Sequence, residues 1–311
     1  MTAESTEGFR FSLAKFITFR DRDECERVRA ITRDELTRHP NPDFRIRIIG
    51  DRTAFYEAFA TDLVTRIREA REEGRTFVPI LPVGPMPQYA IAARMINELR
   101  LSLDHMHSFN MDEYADEDGN TAPQTWPGSF ARAFWERFLL LVDEELRPPA
   151  SQVHFPLKAD LADYATRIED LGGADVCYGG IGWCGHIAFW ESHLAAEFEG
   201  DFERFKAAGP RLVELHPMTI LQNALHSFGG DWSWVPPKAN TIGPQQILTA
   251  RHRSFWLDGD LGGGVSWQRF IARLVAHGPV TPEVPGSILQ TVPTDFTLMG
   301  GVADDVRIAM A

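Results

Sequence analysis

Cysteine is scarce: Cys25, Cys177 and Cys184 form an odd, scattered set in the chain. No leader-like segment opens the sequence. Together these features argue against a disulfide framework and for a reducing, cytoplasmic setting. Long apolar runs are also missing. None approaches the ~20 residues needed to span a bilayer, so no membrane partner is expected. Positive charge is in deficit, with a formal net charge of −13. That argues against a nucleic-acid surface, which needs basic stripes. There is no CxxC pair, no HExxH and no GxxxxGK(S/T), so signals for structural zinc, a zincin or a P-loop are lacking. Neither a metal nor a cofactor is expected. Internal repeats and low-complexity linkers are absent as well.

What is present is a chain of 311 residues, 44% of them hydrophobic, enough for a sizeable core. Residues 1–43 are mixed and polar and read as an appended helical extension, followed by one α/β domain over 44–311. Arg45–Ile49 reads as a first strand. Thr53 can cap a helix to about Glu73 with Phe55, Phe59, Leu63 and Ile67 on one face. Phe77–Leu81 is the next strand, with Pro79 counting against a central position. Pro87 starts a helix, and Leu103–Phe109 is a third strand. Later segments continue the alternation: a helix after Pro127, another over Leu161–Leu171, strands at Ala174–Tyr178, Ser254–Leu257 and Phe296–Met299, and a helix over Trp267–His277. The pattern is that of a mainly parallel sheet with helices on both faces.

Two stretches carry chemistry. Gly179-Gly180-Ile181-Gly182-Trp183-Cys184-Gly185-His186-Ile187-Ala188-Phe189-Trp190-Glu191 leaves a short buried strand through a glycine turn and delivers an imidazole and a carboxylate. Phe109-Asn110-Met111-Asp112-Glu113-Tyr114 also follows a strand and delivers two carboxylates. Open α/β sheets bind ligands outside the carboxyl ends of their strands. Asp112 and His186 are therefore expected to come from neighbouring strand ends and to line one pocket.

These two stretches resemble the glucosamine-6-phosphate deaminase/isomerase family, which shares its fold with the 6-phosphogluconolactonases and is related to ribose-5-phosphate isomerases. Leu81-Pro82-Val83-Gly84-Pro85-Met86-Pro87 is similar to the family's first loop, and Ala239–Gly243 and Ser287–Gln290 to later segments. The resemblance runs over roughly residues 44–311. It implies that Asp112 is the base moving a proton between C2 and C1 through an enediol-type intermediate. It also implies that His186 assists ring opening and that Glu191 tunes His186. A positioned carboxylate and a group titrating near neutrality suit that chemistry. By the same resemblance, Gly84, Pro85, Met86, Glu113, Gly182, Trp183, Cys184 and Trp190 are expected to contact substrate.

The departures from the family concern charge. The family's Asp two residues before the histidine is Cys184 here, a small passive residue or a thiol that His186 could activate. The first loop of the family has the form Leu-Pro-Thr-Gly-Gly-Thr-Pro and holds a phosphate. Here Val83 and Met86 remove hydroxyls and Pro85 removes an N–H donor. The family arginine after Thr219-…-Asn223-Ala224 is Leu225, and no lysine follows Lys238. The expectation is therefore sugar isomerase or amino-sugar deaminase chemistry on a small sugar lacking the usual 6-phosphate, with Trp183 and Trp190 as apolar faces. Glucosamine-6-phosphate deaminase itself, a lactonase and a non-catalytic sugar-binding protein remain as alternatives. A homo-oligomer is compatible with each.

Overall fold

The computed structural model describes residues 11–84 and 86–308. The elements, in chain order, are α1 (Arg22–Arg29), α2 (Arg33–Leu36), β1 (Phe44–Ile49), α3 (Arg52–Glu72), β2 (Pro79–Leu81), α4 (Pro87–Glu98), β3 (Ser108–Asn110) and β4 (Asp112–Ala115). Then come α5 (Phe130–Arg137), β5 (Val153–His154), α6 (Tyr164–Asp170), β6 (Val176–Gly179), α7 (Phe202–Lys206), β7 (Arg211–Glu214), α8 (Pro217–Ser227) and β8 (Lys238–Thr241). The last are α9 (Pro244–Thr249), β9 (His252–Leu257), β10 (Asp260–Gly262), β11 (Val265–Ser266), α10 (Arg269–His277), β12 (Thr294–Met299) and α11 (Gly300–Ala303).

A seven-stranded sheet runs β1-β12-β9-β6-β2-β3-β5, and each of its pairs is parallel. Its inner strands are buried throughout, as β2, β3 and β6 show. Such strands carry continuous apolar runs because both faces are covered. α3 supplies one cover: Phe55, Phe59, Leu63 and Ile67 are all buried at helical spacing. Its N-cap is Asp51, whose side chain accepts from Ala54 N, and not Thr53. Pro79 does occupy a central strand, between β6 and β3. It is the first residue of β2, where the missing N–H costs least, and the adjacent Val78 N donates to Asp175 Oδ2 at 2.7 Å.

A second, three-stranded sheet β4-β8-β7 is antiparallel. It stands at the C-terminal edge of the main sheet. Met111 N donates to Leu81 O at 3.0 Å, and Ile242 N to Met111 O at 2.9 Å. The chain thus leaves β3, crosses β2's end and re-enters as β4.

The N-terminal segment packs on the core rather than trailing from it. Val28 and Leu36 are fully buried. Arg27 donates to His277 O, and Arg273, itself fully buried, donates to Ile31 O at 2.8 Å. No helix among the described residues is long and apolar enough to cross a membrane.

Candidate active site

β6 ends at Gly179, and the chain then makes a tight turn. Gly185 has φ +86°, Gly185 N donates to Gly182 O at 2.9 Å, and Gly182 N to His186 O at 3.0 Å. A Cβ on Gly182 would lie 2.0 Å from His186 Nε2, so the imidazole edge fills the space that glycine leaves. Ala188 then takes φ +50°, an uncommon backbone for a residue with a Cβ. Trp190 N donates to Ile187 O at 2.9 Å, and the chain reaches Glu191.

His186 and Glu191 meet at 3.1 Å, Nδ1 to Oε2. Thr219 Oγ1, on α8, lies 2.9 Å from His186 Nδ1 and donates to Glu191 Oε2 at 2.9 Å. Cys184 Sγ donates to the same Oε2 at 3.0 Å and lies 3.4 Å from His186 Nδ1. Glu191 Oε1, equally buried, has no hydrogen-bond partner. Burial works against a charged His186, but the Glu191 carboxylate and the Cys184 sulfur more than offset it and hold the ring well above the usual histidine range. Glu191 moves the other way. Burial would raise it, while His186, Cys184 and Thr219 keep it below the ordinary carboxylate value. The two shifts agree on an imidazolium–carboxylate pair.

Asp112 opens β4. It pairs with Thr241 on β8, and Thr241 Oγ1 accepts from Phe189 N at 3.0 Å. That single threonine ties the carboxylate strand to the histidine loop. β2 lies between β3 and β6, so the two loops come from strands separated by one and not from adjacent strands. Burial drives the Asp112 carboxyl up to about 8; the field of His186 opposes the rise, and the charges of Glu113 and Glu191 add to it. A buried carboxyl with a raised pKa, in the field of a charged imidazole, is a combination that suits a general base.

Two expected contacts are corrected. Glu113 points away from this cluster. Its carboxylate accepts from Tyr114 N (2.9 Å), Ser129 Oγ (2.9 Å), Phe130 N (3.0 Å) and Ala131 N (2.8 Å). It is the anion at the N-terminus of α5, held by backbone donors, and has no lone pair to spare for substrate. Trp190 is fully buried against Phe198, Phe205 and the Arg211 guanidinium, and serves as core. Trp183, by contrast, is partly exposed. Its ring lies 6.1 Å from that of Trp267, which in turn stands 5.5 Å from His226.

Gly84 and Met86 lie on the loop after β2. Gly84 has φ +104° and lines a narrow pocket with Pro82, Gly179, Trp256 and the α3 rings Phe55, Tyr56 and Phe59. Pro85 lies outside the described residues. Asp258 follows β9, and its Oδ2 accepts from Tyr56 OH at 2.7 Å.

Four residues were not singled out for the site from sequence: Thr219, Thr241, Gln222 and Gln268. Gln222 accepts from Trp183 N at 2.7 Å. Gln268 accepts from Gly259 N at 2.7 Å and donates to Ile181 O at 2.6 Å. Each acts across long sequence separations, where single-chain patterns give no signal. Three of the clustered groups, Cys184, His186 and Glu191, also form a set whose donor atoms all lie within 4.8 Å of one another.

Glucosamine-6-phosphate deaminase of Caenorhabditis elegans is 31% identical over 211 residues, 65% of this chain and 72% of that protein. The chain belongs to the glucosamine-6-phosphate deaminase family. Human glucosamine-6-phosphate deaminase 2 is 30% identical over 222 residues, 66% of this chain and 73% of its own. No protein-family profile matches the chain. Among solved structures, a monomeric glucosamine-6-phosphate deaminase superposes with a TM-score of 0.69 at 21% identity, covering 83% of this chain and 98% of that one. 6-Phosphogluconolactonase from Thermotoga maritima gives 0.55 at 14% identity, covering 82% and 98%. Both share the α/β fold with this deaminase-family enzyme.

Proposed function

We propose that this chain is an amino-sugar deaminase–isomerase. Asp112 moves the proton between C2 and C1 of an open-chain amino sugar, and the His186–Glu191 pair assists ring opening. Water then replaces the amine, giving a keto sugar and ammonia. The single observation that carries the reading is the buried Asp112 carboxyl, raised to about 8 and lying in the field of His186. Proton transfer next to a carbonyl needs a base matched to the working pH.

We propose further that the substrate carries no phosphate at C6. Val83 and Met86 provide no hydroxyl, Leu225 stands half-exposed on α8 in place of the family's arginine, and Asp258 follows β9 where a lysine is implied. A phosphate dianion would lose water there without charge-assisted hydrogen bonds, at a cost on the order of several kcal/mol. A protonated amine suits a site whose carboxylates outnumber its imidazole. The relatives' name favours a second reading, glucosamine 6-phosphate itself. The test is ammonia release from glucosamine 6-phosphate against a panel of unphosphorylated amino sugars. A kcat/KM higher on an unphosphorylated sugar supports the first reading. Saturable, efficient turnover of the phosphorylated sugar decides for the second.

A further inference from the structure

Glu191 presents an asymmetry that the deaminase reading leaves unused. Its Oε2 collects Cys184, Thr219 and His186, while its buried Oε1 has no partner. Four donor atoms of different chemistry converge on one point: a thiol, an imidazole Nδ1, a carboxylate oxygen and a hydroxyl. Their separations are Sγ–Oε2 3.0 Å, Sγ–Nδ1 3.4 Å, Nδ1–Oε2 3.1 Å, Oγ1–Nδ1 2.9 Å, Oγ1–Oε2 2.9 Å and Sγ–Oγ1 3.8 Å. A tetrahedral zinc ion with bonds of ~2.0–2.3 Å keeps its donors about 3.3–3.6 Å apart. Sγ–Nδ1 lies within that range, Sγ–Oγ1 slightly above it, and the other four edges a few tenths of an ångström below it, so an ion would need only a small expansion of the cluster.

Glu191 is fully buried and His186 6% exposed, while Cys184 is partly exposed and gives an ion a way in. The spacing Cys-x-His-x4-Glu is unlike the usual zinc patterns, because Cys184, His186 and Glu191 are brought together by the turn at Gly185 and Ala188, not by a helix or a knuckle.

We propose that Cys184, His186 and Glu191, with Thr219 Oγ1 at the fourth corner, form a binding site for a thiophilic divalent cation of the zinc class. The thiolate selects zinc or cadmium over magnesium or calcium. On binding, the thiol proton and the proton on His186 Nδ1 leave to solvent, and the sulfur and Nδ1 lone pairs are donated to the ion. No oxidation occurs. His186 then remains as a neutral ligand with its hydrogen on Nε2, unable to take a proton there. Occupation therefore suppresses any turnover in which the His186–Glu191 pair assists ring opening. This last consequence rests on the proposed deaminase reading; the binding does not.

The experiment uses the full chain, stripped with chelator and titrated with zinc chloride by calorimetry and with cobalt chloride by absorbance. One zinc per chain is expected, together with a thiolate-to-cobalt charge-transfer band in the near ultraviolet. Cys184→Ser should abolish the band and weaken zinc binding by ~100-fold or more, since a direct ligand outweighs the ~10–100-fold of outer-shell partners. Thr219→Val should weaken binding less. Cys25→Ser, remote from the cluster, should change nothing. If Cys184→Ser does not fold by circular dichroism, Cys184→Asp serves, retaining a weaker site without the band. Absence of the band in the parent chain, undiminished zinc affinity in the Cys184 variants, or loss of the band in Cys25→Ser would each overturn the proposal. Amino-sugar turnover by the stripped enzyme tests the deaminase reading separately.

Discussion

At Asp112 the proposed chemistry works against stability. Its carboxyl titrates near 8 in the folded chain and near ~3.9 when unfolded. Between those values the folded state holds a proton that the unfolded state does not. This group's contribution to stability is therefore full below about 4 and is lost as pH rises through 8, by on the order of 5 kcal/mol at its largest. Two outcomes follow for the same carboxyl. The kcat/KM of the parent should rise with pH and level off above about 8, because only the carboxylate is a base. Asp112→Asn should cut turnover by ~100-fold or more while raising the melting temperature at pH 9 and leaving it nearly unchanged at pH 4. Parallel melting curves for parent and variant across that pH range would contradict the raised pKa.

The two tryptophans of the glycine loop make a second residue-scale contrast. Trp190 is fully buried among Phe198, Phe205 and Arg211, whereas Trp183 is partly exposed beside Trp267. Trp190→Ala should cost about 3–5 kcal/mol of stability through the cavity it leaves. Trp183→Ala should cost less than about 1 kcal/mol and act instead on KM. Urea midpoints for both variants, with KM measured on the preferred sugar, distinguish the roles. Equal losses of stability would place Trp183 in the core as well.

At the scale of elements, α5 is anchored by an acid from another segment. Ser129 caps it, but Glu113 on β4 takes the N–H groups of Phe130 and Ala131 and the Ser129 hydroxyl besides. Removing that carboxylate leaves buried donors unpaired, each worth about 1–3 kcal/mol. Glu113→Ala should therefore lower stability by roughly 2–5 kcal/mol, and Glu113→Gln by less because its amide oxygen still accepts. Denaturant unfolding checks this; an unchanged midpoint in Glu113→Ala would return Glu113 to the list of substrate contacts. The neighbouring Asp112 faces the opposite side of β4, as successive residues of a strand do.

For the whole molecule, the N-terminal segment matters to the core it covers. Val28 and Leu36 are fully buried, and Ile31 O accepts from the buried Arg273 guanidinium. Deleting residues 1–36 exposes this apolar surface and strips a buried charge of an acceptor. The melting temperature should fall by roughly 5–10 °C, from at least two lost side-chain burials and one lost charged hydrogen bond. A truncated chain melting with the full chain would mean that the segment rests on the surface without contributing to stability.

The sequence by itself determined six of the seven strands of the main sheet, its covering helices and the family, but not the two-residue β5. Strands buried on both faces are apolar where they are covered, so β6 and the apolar ends of β9 and β12 could be read from composition, and the 3.6-residue period of α3 from its phenylalanines. The glycine turn could be read because only glycine accepts φ +86° without strain and leaves room for an imidazole. The tertiary structure alone decided the rest. β4 and β8 lack a clean alternation of apolar and polar residues, and their pairing joins segments more than a hundred residues apart. Trp183 and Trp190 are the same residue type on one loop, and only packing separates the exposed ring from the buried one. Asp112 and Glu113 are adjacent carboxylates, and the strand's two faces set one within the field of His186 and the other at a helix N-terminus. Thr219 joins the pair from α8 because burial leaves Glu191 to draw on donors within reach in space, wherever they lie in the chain.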